Sequence, residues 1–276
     1  MSRVASTSRL VAGVSVLFAA AAFAGGAAAQ STSIPDFSSN QTAWRGRPGT
    51  DFMPVPGSPS PMVDDPAHPH VANNTGKQPA YRIADLTNPN VMQWAKDIMK
   101  KDNDEVLAGK IAYTPGQSCK PSGVPDYNRA GGPFYFIQTD KEVLQIATEE
   151  RSARHIYLNV PQSANPKPSW YGESVGHYEG DTLVIDTIGQ NTKTFVDTYR
   201  TPHTEKLHVV ERIRMIDGGK QLEIHMTIED PGTFYKPFQV IRRLNRAQDT
   251  LDEEICQEGN FMLFDYGIPV AKTPDF

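Results

Sequence analysis

The stretch LHVVERIRMIDGGKQLEIHMTIE, residues 207–229, decides the expected fold. Leu207, Val209, Ile213 and Met215 fall on alternate positions, and a period of two belongs to a strand rather than a helix. Asp217-Gly218-Gly219 then supplies residues that tolerate a tight reversal, and Gln221–Glu229 runs back as the second arm of a hairpin. The fifth member of the alternation is Glu211, so one carboxylate is expected on an otherwise apolar face. His208, Val210, Arg212 and Arg214 share the other face.

The same period extends in both directions. Phe134–Gln138, Glu142–Thr148 and His155–Val160 are candidate strands, followed by Ser174–Tyr178 and Asp181–Thr187 around a turn at Glu179-Gly180. Phe238–Leu244 and Thr250–Cys256 close the series. Short strands in meander order, with turn signals between them, predict a mainly β chain. The expected forms are an antiparallel barrel of lipocalin-like type or a sandwich. Before the strands, Val91, Trp94, Ala95, Ile98 and Met99 recur at helical spacing, which predicts one helix near residues 89–102. Thr87 or Asn88 would cap it, and Pro89 would stand in its first turn. Residues 30–80 carry a proline every few positions, from Pro35 through Pro54, Pro56, Pro59 and Pro61 to Pro79. They are expected to form an irregular arm outside a β-rich domain at 81–276.

Residues 1–29 have the pattern of a cleavable signal peptide. Arg3 and Arg9 precede an apolar run from Leu10 to Ala24, and Ala27-Ala28-Ala29 offers small residues at the cleavage positions. The run is short for a membrane span, so the expectation is a periplasmic or secreted protein that is not inserted in the membrane. Without Arg3 and Arg9, 25 of the 27 basic side chains remain against 32 acidic ones, a formal charge of −7. That balance argues against nucleic acid as a partner. In an oxidising compartment Cys119 and Cys256, the only cysteines, are expected to form one disulfide.

A carboxylate on an apolar face must be paired, hydrogen-bonded or protonated, and in the last case it makes a general acid or base. Glu211 has two open readings, a catalytic group or a member of an internal salt bridge with Arg242 or Arg154. Asp197 and His203 lie in the loop before its strand, His203 as a possible proton shuttle, Asp197 as its orienter and Arg212 as an anion-stabilising partner. Trp170, Tyr171, His177 and His208 are candidate substrate contacts. His203, His208 and Glu211 could serve zinc only if a bulge brought both strand faces together, so no metal or other cofactor is expected.

The run Trp170-Tyr171-Gly172-Glu173-Ser174-Val175-Gly176-His177-Tyr178-Glu179-Gly180-Asp181-Thr182-Leu183-Val184-Ile185-Asp186-Thr187 resembles a signature of a large group of exported bacterial β-rich proteins, mostly of undescribed function. Cys119 before Gly123-Val124-Pro125, Asp197 before Pro202-His203-Thr204, Leu207-His208 with Glu211-Arg212, and Cys256-Gln257-Glu258-Gly259-Asn260 carry the same resemblance. It covers roughly Leu86 to Asn260 and implies a β-rich exported protein, without an activity to carry over. Residue 257 is often His in that group and is Gln257 here. The functional expectation is a cofactor-independent enzyme, a lyase or isomerase, using acid–base chemistry on a small aromatic or sugar-like compound. A non-catalytic ligand-binding barrel and a structural or assembly protein are the alternatives.

Overall fold

A computed structural model describes residues 1, 34–37, 43–46, 52–70, 82–110, 114–129, 133–147, 150, 152–248 and 255–256. The signal-peptide reading and most of the predicted strand Thr250–Cys256 lie outside the described residues. The strands are β1 (Ala43–Arg45), β2 (Met53–Pro54), β3 (Pro133–Gln138), β4 (Glu142–Ala147), β5 (Arg154–Leu158), β6 (Glu173–Glu179), β7 (Thr182–Ile188), β8 (His208–Ile216), β9 (Gln221–Glu229) and β10 (Phe238–Ala247). One helix, α1 (Gln93–Leu107), precedes β3. Strands β3 to β10 pair in chain order, and β1 joins β3 to β10, so nine strands close into a barrel with β2 added alongside β10. The hairpin β8–β9 has the register expected of the opening stretch, with Ile216 opposite Gln221 and Glu211 opposite Met226.

Three expectations need correction. The described part of residues 30–80 is not a detached arm. Trp44 pairs with both Phe134 and Arg246, and it is fully buried together with Phe37. The indole Nε1 donates to the Phe37 carbonyl at 2.9 Å, and the Arg246 guanidinium lies 4.6 Å from the ring centre. Proline excludes central strand positions, but β1 falls between Pro35 and Pro48, where the backbone N–H groups needed to close the ring are intact. The second correction is the meander, which breaks where β5 and β6 run parallel, with Ile156 opposite Ser174. A parallel pair requires a crossover, and the proline-bearing connection Asn159–Gly172 is long enough to provide one. Gly176 is closely packed here: a Cβ would stand 3.0 Å from both Ile156 Cγ2 and the Val184 carbonyl, so a larger residue would need its neighbours to shift.

The third correction concerns the helix, which starts at Gln93 and receives no side-chain cap. Asp85 and Asn88 instead accept backbone N–H groups two residues ahead, from Thr87 and Asn90, which commits the candidate capping segment to turns. Val91 then bridges to Phe234 before the helix begins. Ala95, Met99 and Val106 face inward, and Asn103 holds both backbone groups of Ala84 at 3.0 Å. Trp94 stays partly exposed, and its Nε1 donates to the Gly232 carbonyl.

Cys119 and Cys256 form a disulfide, with Cα atoms 5.6 Å apart across 137 residues of sequence. The bond ties the chain near its C-terminal end to a loop, residues 115–129, built on two short turns of 3₁₀ helix at Pro115–Ser118 and Asp126–Arg129. Gly123 in that loop has φ of +82°, and a Cβ there would stand 2.6 Å from Thr194. The loop therefore packs hard against the segment that precedes β8. No helix among the described residues is long and apolar enough to cross a membrane.

Candidate functional site

Five consecutive strands each turn one polar side chain inward: Gln145 from β4, Arg154 from β5, Ser174 from β6, Thr187 from β7 and Glu211 from β8. All five are buried. In each strand the alternate neighbours on the same face are apolar or small, such as Val143 and Ala147 around Gln145, or Val209 and Ile213 around Glu211. Register pairs Gln145 with Arg154 and Ser174 with Thr187. The result is one polar layer across a barrel interior whose other inward side chains are mostly hydrophobic, with Arg242 of β10 also buried on the inner face.

The layer is organised by the ion pair of Arg154 and Glu211, both without solvent exposure. Arg154 Nη2 donates to Glu211 Oε2 at 2.5 Å and Nη1 to Oε1 at 3.1 Å, a two-point contact of planar guanidinium and planar carboxylate. Nη1 also donates to Gln145 Oε1, Nη2 to Thr187 Oγ1, and Nε to Ser174 Oγ. From the loop above, Asn128 Nδ2 donates to Glu211 Oε1 at 2.6 Å. Between the two partners left open by the sequence, Arg154 is the one that Glu211 meets.

These contacts fix the direction of both amides. Asn128 must present its NH₂ to a carboxylate, and Gln145 must present its oxygen to a guanidinium. The Asn128 oxygen Oδ1 and the Gln145 nitrogen Nε2 consequently point elsewhere, and neither has a protein partner. The Tyr127 hydroxyl also lacks one, although Tyr127 is fully buried. Its ring stands edge-on to Phe134 and Tyr171, with centres 5.6 and 5.5 Å away. Burial, reinforced by the charges of Glu150 and Glu211, raises its phenol well above the ordinary value and keeps it protonated.

At the edge of this aromatic group, Glu150 accepts hydrogen bonds from the Tyr171 hydroxyl at 2.9 Å and from the backbone N–H and hydroxyl of Ser122. Burial raises the Glu150 carboxyl despite those donors. Of the two aromatic residues singled out in the sequence, Tyr171 packs on the Tyr127 ring, while the Trp170 ring lies under the Lys120 ammonium, 5.8 Å from its centre.

Asp197 and His203 are buried, but they are not partners. His203 Nδ1 lies 2.9 Å from the Thr204 carbonyl, which can only accept, so Nδ1 carries the hydrogen and Nε2 takes the Thr194 hydroxyl at 2.8 Å. Burial lowers the imidazole below its usual value and holds it neutral, which does not suit a proton shuttle. Asp197 stitches its own loop instead, accepting from Tyr199 N and from Thr201 N and Oγ1. Arg212 and His208 lie on the outer face, as alternation from an inward Glu211 requires. Arg212 pairs with Glu179 at 2.6 Å and His208 with Asp186 at 2.9 Å, while His177 joins Glu179 from the same outer surface. None of these three can serve the interior. Among the described residues, no three His, Cys, Asp or Glu side chains come together in a way that could hold a metal.

Burial pushes the Asp197 carboxyl from 3.8 up to about 6. The folded chain then keeps a proton that the unfolded chain has already released between those values, so stability falls as pH rises through about 4 to 6 and levels off above. Asp197→Asn keeps the shape and removes the titration. Urea unfolding of both proteins from pH 4 to 7 should show the wild type losing on the order of 2–3 kcal/mol relative to the variant as pH rises. Parallel pH curves would show that Asp197 titrates normally. Taking the difference between proteins cancels the opposite slope of His203, whose depressed value costs stability as pH falls.

The interior layer is only partly legible in the sequence. Glu211 stands out because its alternation is long and clean, and Arg154 is one of its two candidate partners. Gln145, Ser174 and Thr187 carry the same signal, a polar residue in an inward register, but on shorter strands. Tyr127, Asn128 and Glu150 sit in loops, where no periodicity marks them. Comparison with family profiles, curated proteins and solved structures returned no match to this chain.

Proposed function

We propose that this barrel takes up a small organic compound in its interior, beside the Arg154–Glu211 pair. The observation that carries this is the trio of wholly buried side chains, Tyr127, Asn128 and Gln145, each keeping a polar atom without a protein partner; Asn128 and Gln145 are bonded to that pair, and Tyr127 precedes Asn128 in the chain. Such an atom costs about 1–3 kcal/mol, and a core built only for stability avoids the arrangement. Two of the three belong to the loop at 115–129 rather than to the sheet.

Tyr127→Phe tests this, because it deletes a hydroxyl to which no protein group is bonded. Thermal and urea unfolding should find the variant as stable as the wild type, or up to about 1 kcal/mol more stable. Fragments found by NMR titration to bind at the layer should lose about tenfold in affinity. A variant that is destabilised, or that binds such fragments unchanged, would remove the trio as a binding site.

For turnover by proton transfer, the lyase or isomerase chemistry expected from sequence, Glu150 is better placed than Glu211. Both Glu211 oxygens are occupied by a guanidinium that cannot release its charge. Glu150 is paired only with neutral donors and has a raised carboxyl beside the Tyr127–Tyr171 rings. In this second reading Glu150 exchanges the proton and Tyr171 positions it. Export to the periplasm or medium is supported by the pattern of residues 1–29 and is compatible with the disulfide.

A further inference from the structure

We propose that the C-terminal stretch Met262–Val270 docks on the outer face of β3, β4 and β5 and covers its apolar side chains. The inference stands apart from the interior site and does not depend on it.

The outer wall of the barrel is of two kinds. Across β6 to β10 it carries ion pairs: Arg212 with Glu179, His208 with Asp186, and Glu223 with both Arg214 and Arg243. Across β3 to β5 the outward positions include Ile137, Leu144, Ile146 and Tyr157. Register sets Ile137 opposite Leu144, and Leu144 opposite His155, whose ring stacks on Tyr157. These side chains form one patch, with Ile137 49% and Tyr157 47% exposed. A contiguous apolar patch beside a wall of paired charges marks a contact surface.

The course of the chain after Cys256 indicates the occupant. The disulfide holds Cys256 to Cys119, and Ser122, three residues further on, donates its N–H and hydroxyl to Glu150. The Glu150 N–H in turn donates to the Ala147 carbonyl at the end of β4, at 3.1 Å. The chain therefore leaves Cys256 from the end of the barrel where β4 ends. Extended, residues 257–276 span on the order of 65 Å, against about 20 Å for β3 or β4.

The sequence of that stretch suits a sheet face. Met262, Phe264, Tyr266, Ile268 and Val270 fall on alternate positions and put five apolar side chains on one side of an extended chain. Pro269 cannot donate to a ladder, which favours docking through side chains over the addition of a strand. Tethering also presents the segment to the patch at an effective concentration on the order of millimolar, which a second copy of the chain does not reach in dilute solution.

Ile137→benzoylphenylalanine in the full disulfide-bonded chain places a photoreactive group on the patch. After irradiation, mass spectrometry should find cross-links within single chains to residues 262–270. The same group at His177, on the charged side, should not reach them. Phe264→Asp should cut the yield roughly tenfold, as expected when one buried aromatic contact is lost. Asp265→Lys, on the other side of the stretch, should leave the yield unchanged. Cross-links that join two chains would assign the patch to self-association and overturn the docking. Cross-links to other parts of the same chain, none at all, or an unchanged yield in Phe264→Asp would overturn it equally.

Discussion

Glu211→Gln is expected to cost about 3–5 kcal/mol of unfolding free energy, enough to unfold a marginal domain. Gln has nearly the shape of Glu, so the loss comes from charge and not from packing. Arg154 would keep its positive charge with no exposure, surrounded by Gln145, Ser174 and Thr187, none of which is ionised. The new amide would also turn donors toward either the guanidinium or the Asn128 NH₂, where the carboxylate now accepts. Arg154→Met should be damaging for the mirror reason, leaving a carboxylate with Asn128 alone. In the double variant, Arg154→Met with Glu211→Gln, much of the loss should return, because no uncompensated charge is left inside. Urea unfolding of the four proteins measures the coupling directly. A single Glu211→Gln variant within about 1 kcal/mol of the wild type would contradict the structural role of the pair.

Breaking the Cys119–Cys256 bond should be comparably severe. Its ends are 137 residues apart, and in the entropic account a closed loop of that length limits the unfolded chain by up to about 4–5 kcal/mol. The expected local effect matters more for the site. The loop at 115–129 contributes Tyr127 and Asn128, and the disulfide stands beside its other anchors, Ser122 on Glu150 and Val124 N on Gln190. A Cys119→Ser, Cys256→Ser protein should unfold at lower urea. In hydrogen exchange, the amides of residues 122–128 should open sooner than those of β7–β9. Thiol titration of the denatured, unreduced wild type should find no free thiol. Equal stability with and without the bond, or unchanged exchange in the loop, would show that the other anchors suffice.

Alternation is a local property, carried by residues two apart, and so the sequence alone determined a great deal. It placed β8 and β9 and the turn between them, and it aimed Glu211 inward and Arg212 outward. It also supplied a single pair of cysteines for one bond. Partners are not local. Whether Glu211 would meet Arg154 or Arg242 depended on the barrel register, since β5 and β8 are separated by two strands and a crossover. The parallel pairing of β5 with β6 rested on where the Asn159–Gly172 connection runs, which no period encodes. Closure rested on the three residues of β1, too short for any pattern and hidden among prolines; it forms because Trp44 gains full burial against Phe37 and Arg246 once the other strands are curved. The loop atoms of Tyr127, Asn128 and Glu150 entered the site for a like reason. Their positions are set by long-range anchors, and only the folded chain brings those anchors together.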